Sequence, residues 1–232
     1  MVKVSFRYQP HLPPVLDQLD LVIPKGERVG FVGMTGSGKS TLMDMLMGLL
    51  QPSNGQILVD GTAITGTARL AWQRNIAHVP QAIFLTDQSF AENIAFGVPP
   101  SQIDLAQVRQ AAQQAQISAF IESGTKGYAA MVGERGVRLS GGQRQRIGIA
   151  RALYRQAKVL VFDEATSALD TETEAAVMQA VEGLGPELTI LLIAHRLDTL
   201  QGADVIYRLD KGEAVPFGNP KAHLQVRNTN HF

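Results

Sequence analysis

The sequence predicts an α/β domain built on a mostly parallel sheet, with an antiparallel β region near the N-terminus and a helical insertion in the middle. Three observations lead there. RVGFV (28–32), KVLVF (158–162) and LTILLIA (188–194) are apolar runs of strand length, suited to buried parallel strands. Residues 88–157 separate the first run from the other two and show mainly helical patterns. Each apolar run also leads into polar groups: a glycine-rich loop, Asp163 with Glu164, and His195. Ligands of open parallel sheets bind beyond the carboxyl ends of the strands, so all three groups are expected to face one crevice.

The elements follow in order. Val2, Val4, Phe6 and Tyr8 alternate with more polar residues, which predicts a strand ended by Pro10, Pro13 and Pro14. Leu19, Leu21 and Ile23 suggest another, closed by the turn PKG (24–26). After RVGFV and the glycine loop, TLMDMLMGLL (41–50) has helical length and strong helix formers, and Gln51-Pro52 stops it. PSNG (52–55) is a turn, QILVDG (56–61) a strand, and NIAHVPQ (75–81) a strand running into a loop. The Ala- and Gln-rich stretch DLAQVRQAAQQAQISAFI (104–121) and GQRQRIGIARALYR (142–155) read as helices. TETEAAVMQAVEG (171–183) is a helix between the last two apolar strands, and VIYRLDKGEAVPF (205–217) is a hairpin turning at Asp210 to Gly212.

Composition narrows the function. The 232 residues are 45% hydrophobic, enough for one sizeable domain. The 21 basic and 21 acidic residues balance, so the basic excess typical of nucleic-acid binders is missing. With no cysteine, thiolate metal sites and disulfides are excluded. The N-terminal MVKVSFRYQP lacks the apolar core of a signal peptide. No run reaches the roughly 18–20 apolar residues of a membrane span, so the chain reads as soluble, without insertion into a membrane.

Gly33-Met-Thr-Gly-Ser-Gly-Lys-Ser40 fits the phosphate-loop pattern G-x-x-x-x-G-K-[ST]. Its residues Gly33, Thr35, Gly36, Ser37, Gly38 and Thr41 place backbone N–H groups around phosphates. Lys39 reaches the β and γ oxygens, Ser40 ligates Mg²⁺, and the positive end of the following helix faces the same anions. A chance match has a probability on the order of one in a hundred at this length, given average residue usage. Asp163 can hold Mg²⁺ and Glu164 can polarise an attacking water; otherwise the pair is simply an acidic strand end. His195 is placed to reach a γ-phosphate, although a lone histidine after a strand is more often structural. Gln81 can touch Mg²⁺ or water and report occupancy to a mobile neighbour, though an isolated glutamine says nothing. Tyr8 either stacks on adenine or belongs to the core face of the first strand.

LSGGQRQR (139–146) raises a separate question. Ser140 and Gln143 form a capping box, S-x-x-Q, at the start of a helix. A cap has no need of Gly141 and Gly142, which cost roughly 1 kcal/mol each relative to Ala in a helical turn. They make sense where a ligand approaches the backbone closely. The serine hydroxyl, the glycine N–H groups and the helix N-terminus together form an anion site.

In this order and spacing, the phosphate loop, Gln81, LSGGQ, VLVFDE (159–164), SALD (167–170) and His195 resemble the nucleotide-binding domain of ATP-binding cassette transporters over essentially the whole chain. The resemblance implies a P-loop ATPase core with its β subdomain over 1–87 and 158–232, and a helical subdomain over 88–157 carrying the signature LSGGQ. It implies ATP and Mg²⁺ as ligands, Glu164 as catalytic base, and Tyr8 as the adenine-stacking aromatic. It also implies a second nucleotide-binding domain as partner, paired head to tail. Ser140 and Gly142 of one copy then meet the γ-phosphate held by Lys39 of the other, and Asp170 lies on the dimer seam. VGERG (132–136) and FLTDQSFAENIAFG (84–97) resemble exporter-type cassettes, in which a transmembrane domain is usually fused ahead of the cassette at the cytoplasmic face. The chain starts at the first cassette strand, as expected of a domain excised from such a protein. Chromosome-type cassettes carry a long coiled coil between phosphate loop and signature, and sustained heptads are missing here. A non-hydrolysing sensor fits poorly with intact Glu164 and His195, and a nucleotide kinase has no use for LSGGQ.

Overall fold

The computed structural model describes residues 1–163, 169–194, 197–200 and 202–218, apart from the side chains of Arg135, Leu197 and Asp198. Its strands are β1 (Val2–Phe6), β2 (Leu16–Leu19), β3 (Arg28–Val32), β4 (Asn54–Gln56), β5 (Leu58–Val59), β6 (Thr62–Ala63), β7 (Ile76–Val79), β8 (Val159–Asp163), β9 (Thr189–Ile193), β10 (Val205–Asp210) and β11 (Glu213–Gly218). Its α-helices are α1 (Lys39–Leu46), α2 (Gly66–Gln73), α3 (Phe90–Ile94), α4 (Leu105–Gln114), α5 (Ser118–Glu122), α6 (Gly141–Tyr154) and α7 (Thr171–Glu182). The largest sheet has the order β11-β10-β3-β9-β8-β7. β10, β3, β9 and β8 run parallel, and β11 is antiparallel to β10. A three-stranded sheet β2-β1-β4 and the pair β5-β6 are antiparallel. The mixed α/β architecture is therefore the one the apolar runs predict.

The chain forms two compact units. The first contains residues 1–76, 158–163 and 186–232. Its core joins Val4, Phe6, Leu16, Phe31, Leu42, Met45, Val161 and Leu191, all buried. Each fully buried side chain of this size is worth about 1.5–3 kcal/mol against exposure, before the entropy of ordering it. The three predicted parallel strands form where their apolar runs lie. Two expectations shift. β2 occupies Leu16–Leu19 rather than Leu19–Ile23; beyond that regular strand Leu21 still pairs with Met1, donating its N–H to the Met1 carbonyl at 3.2 Å and accepting from the N-terminal amine at 2.7 Å. β1 is bulged, with Lys3 at φ 46°, so Ser5 turns inward and its hydroxyl accepts from the N–H of Gln18 at 2.9 Å. The hairpin β10–β11 turns through Lys211 and Gly212, at φ 49° and 85°, between the paired residues Asp210 and Glu213. Two successive positive φ values match the right-handed twist of the flanking strands.

The second unit contains residues 77–157 and 164–185. Here α6 packs on α3, α4 and α7. Ile94, Val108, Ala112, Ile121, Ile147 and Ile149 are all at most 1% exposed. The helical pattern over 104–121 resolves into two helices, α4 and α5, because Gln116 takes φ 53° and breaks the ladder. Among the described residues, side chains cap four helices: Ser89 with Glu92 on α3, Asp104 on α4, Ser140 with Gln143 on α6, and Asp170 on α7. Among the described residues, no helix is long and apolar enough to cross a membrane.

Candidate nucleotide site

In the first unit, three strand ends come into register. Phe31 of β3 lies opposite Ile193 of β9, and Ile193 lies opposite Asp163 of β8. Two steps of about 4.8 Å between strands put Asp163 about 10 Å across the edge from the start of the phosphate loop. Asp163 is half-buried, as suits a carboxylate at a strand end.

The loop between β3 and α1 is shaped by glycine. Gly36 and Gly38 take φ 83° and 98°, in the left-handed region where a side chain is strained. A Cβ on Gly33 would stand 2.5 Å from the Leu209 carbonyl oxygen and 2.6 Å from Ser37 Oγ. The Lys39 side chain is 6% exposed, and its ammonium donates to the carbonyls of Gly33 at 2.7 Å and Met34 at 3.0 Å. The charge thus sits inside the curve of the loop. Ser37 Oγ is buried there without a hydrogen-bond partner. Gly38 caps α1 without a side chain, so the first-turn N–H groups have no side-chain acceptor at that end. Thr35, Gly36 and Ser40 are exposed. A buried ammonium, an orphaned hydroxyl and an uncapped helix N-terminus fit a polyphosphate. Exposed Ser40 and the Asp163 carboxylate supply the hard oxygen donors that suit Mg²⁺.

Tyr8 lies beyond the end of β1 and is 58% exposed, so the core alternative does not hold. Its ring meets Phe6 edge-on at 5.0 Å. Its hydroxyl shares a 3.0 Å hydrogen bond with Thr41, which is buried in the first turn of α1. That leaves an open aromatic face fixed to the helix that follows the phosphate loop.

In the second unit, Ser140 is exposed and caps α6 reciprocally. Its hydroxyl accepts from Gln143 N–H at 3.2 Å, and its own N–H donates to Gln143 Oε1 at 2.9 Å. The glycines have an explanation that the sequence did not suggest. A Cβ on Gly142 would run into Thr173 Cγ2 of α7, and one on Gly141 would come within 2.7 Å of Leu169. The missing side chain at Gly142 is therefore accounted for by packing of α6 on α7, without recourse to a ligand. Asp170 caps α7: its carboxylate accepts from Thr173 N–H at 2.9 Å and from Thr173 Oγ1 at 2.7 Å. These bonds, the backbone one first, hold its carboxyl below the usual aspartate range.

Gln81 has an exposed side chain, while its backbone carbonyl accepts a 2.7 Å hydrogen bond from Gln145 Nε2. Sequence reasoning missed both Gln145 and Thr173. Gln145 had a signal, since it lies four residues before Ile149 on the buried stripe of α6, an unusual place for an amide. Glu134 lies exposed in a short 3₁₀ turn, Glu134–Gly136. Glu164, His195 and the first two residues of SALD, Ser167 and Ala168, lie outside the described residues.

The family model described as ABC transporter matches residues 16–167. The chain is 43% identical over 222 residues to an ATP-dependent lipid A-core flippase of Ralstonia nicotianae, covering 95% of this chain and 38% of that protein. It is 44% identical over 227 residues to the leukotoxin translocation ATP-binding protein LktB of Mannheimia glucosida, covering 98% and 32%. The structure of a bacterial Atm1-family ABC exporter with ATP bound superposes with a TM-score of 0.83 at 36% identity, over 97% of this chain and 39% of that one. The chain thus spans well under half the length of the relatives it matches. With a phosphate loop on a parallel-sheet edge and a family match across most of its length, this chain belongs to the ABC transporter family.

Proposed function

We propose that this chain pairs head to tail with a second nucleotide-binding domain on binding ATP, and that hydrolysis drives export through a membrane domain elsewhere in a longer protein, at the cytoplasmic face of the membrane. The observation that carries the ATP site is the buried Lys39 ammonium, curled against the carbonyls of Gly33 and Met34 beside the orphaned Ser37 hydroxyl. On binding, Lys39 exchanges those carbonyls for the β and γ oxygens, and Ser37 gains a partner. Gly33, Thr35, Gly36, Gly38 and Thr41 present backbone N–H groups, and Tyr8 offers its face to the adenine. Ser40, Asp163 and Gln81 would hold Mg²⁺, which supplies charge neutralisation on the phosphates when bound. Glu164 takes a proton from the attacking water, and His195 steadies the γ-phosphate.

The signature serves the partner's nucleotide. α6 has 14 residues, and its positive end is suited to a γ-phosphate contacted by Ser140, Gly141 and Gly142 of the other copy. Gln143 holds Ser140 in place, and Asp170 lies on the seam. The Gln81 segment, Glu134 and Arg135 transmit the motion to the membrane domain. Cargo is not carried over, since relatives named for lipid A-core and for leukotoxin match almost equally, at 43% and 44%.

Phosphate release from Mg-ATP by the purified chain tests the nucleotide site. Lys39→Ala is expected to lower the rate by about 10²–10³, the usual cost of one charge-stabilising donor. An unchanged rate in Lys39→Ala contradicts the site.

A further inference from the structure

The helix α1 has eight residues and is about 12 Å long at 1.5 Å per residue. Its two ends are treated in opposite ways. Gly38 leaves the N-terminus without a side-chain cap, whereas the carbonyls at the other end find donors. Asp44 and Met45 accept from the N–H groups of Leu49 at 2.7 Å and Gly48 at 3.0 Å. The Leu46 carbonyl accepts from the indole Nε1 of Trp72 at 2.6 Å. Those of Gly48 and Met47 accept from Gln73 Nε2 at 3.0 and 3.5 Å. Both side-chain donors belong to α2, none of whose residues is buried. α2 lies close over the turn: a Cβ on Gly48, at φ 69°, would stand 3.1 Å from Arg69 Cγ and 3.6 Å from Trp72 Cδ1.

Apolar packing alone does not fix α1 at this end. A cavity of about 460 Å³ lies beside it, lined by Leu46, Trp72, Ile57 and Val59. Met43, Met45 and Met47 are long, adaptable side chains that tolerate a slip of the helix. Hydrogen bonds to the terminal carbonyls are directional and do not. We propose that Trp72 and Gln73 are positioning residues for the phosphate loop. By holding the C-terminal carbonyls they fix α1 along its axis, so that Lys39, Ser40 and Thr41 in its first turn meet the phosphates at the right distance. This rests on the reading of the Gly33–Thr41 loop as a polyphosphate site. It adds that the site is set by a helix anchored at the opposite end of α1.

The test is calorimetric binding of ADP, and of inorganic tripolyphosphate, which has no base to stack on Tyr8. The chains compared are wild type, Lys39→Ala, Trp72→Phe, Gln73→Ala and the double variant at positions 72 and 73. Phe keeps a ring and loses the donor. Binding is measured at a temperature where circular dichroism shows each chain folded. Gln73 is only half-buried, so its Ala variant decides the matter should Trp72→Phe fail to fold. Each single variant is expected to weaken both ligands about threefold to tenfold, because the ligand must first restore α1 to its bound position against the loss of one hydrogen bond. The double variant should lose more than either. A lowered urea midpoint with wild-type affinity would leave these residues a purely structural role and overturn the proposal. Weak binding in Lys39→Ala beside wild-type affinity in the α2 variants overturns the proposal alone. Wild-type affinity in Lys39→Ala overturns the reading of the loop, and the proposal with it.

Discussion

Thr173 occupies the space that a side chain on Gly142 would need. The signature helix and α7 meet at this point, and the close approach sets how α6 is held. Gly142→Ala should gain about 1 kcal/mol of helix propensity and lose about 1–3 kcal/mol to overpacking, for a net loss of stability. Thr173→Ser removes the offending methyl and keeps the hydroxyl that bonds Asp170. The double variant should therefore recover much of the loss in urea unfolding. Equal loss in the single and double variants would place the strain elsewhere.

Asp170 links the same contact to pH. Its carboxyl is held below the usual range by the Thr173 N–H and hydroxyl, so its folded pKa lies under its unfolded one. The stabilisation is then complete above the unfolded value and disappears as pH falls through the folded value. Wild type should be more stable than Asp170→Ala at neutral pH, and the gap should close in acid. Urea midpoints across pH check this, and a gap independent of pH would exclude the carboxylate as its source.

Tyr8 can be divided into hydroxyl and ring. Tyr8→Phe loses the bond to Thr41 and should cost about 0.5–1.5 kcal/mol of stability while keeping nucleotide affinity. Tyr8→Ala also loses the ring, and should weaken nucleotide binding by about 1–3 kcal/mol, the worth of one aromatic–base stack. Equal affinities in the Phe and Ala variants would remove the ring from the site.

Much of this was legible because it is written locally. The apolar runs at 28–32, 158–162 and 188–194 have the length and composition of buried strands, and S-x-x-Q announces the α6 cap that the structure contains. What escaped depends on partners distant in sequence. Nothing around Gly142 reveals that Thr173, 31 positions later, fills its empty side. Gln145 stood out on the apolar stripe of α6, but its acceptors, 64 and 65 residues upstream, left no local trace. α2 went unsignalled, since none of its residues is buried enough to impose an apolar stripe. Tyr8 kept the alternation of β1 in sequence, but the strand ends at Phe6, which frees the ring.

The central claim is that LSGGQ completes the ATP site of another copy. Light scattering on Glu164→Gln with Mg-ATP tests it most directly, because removing the base should trap the state before hydrolysis. The mass is expected to rise from one chain to two, and Ser140→Arg in the same background should return it to one. A Glu164→Gln chain that stays monomeric, while wild type turns over ATP at a rate independent of protein concentration, would contradict pairing through the signature.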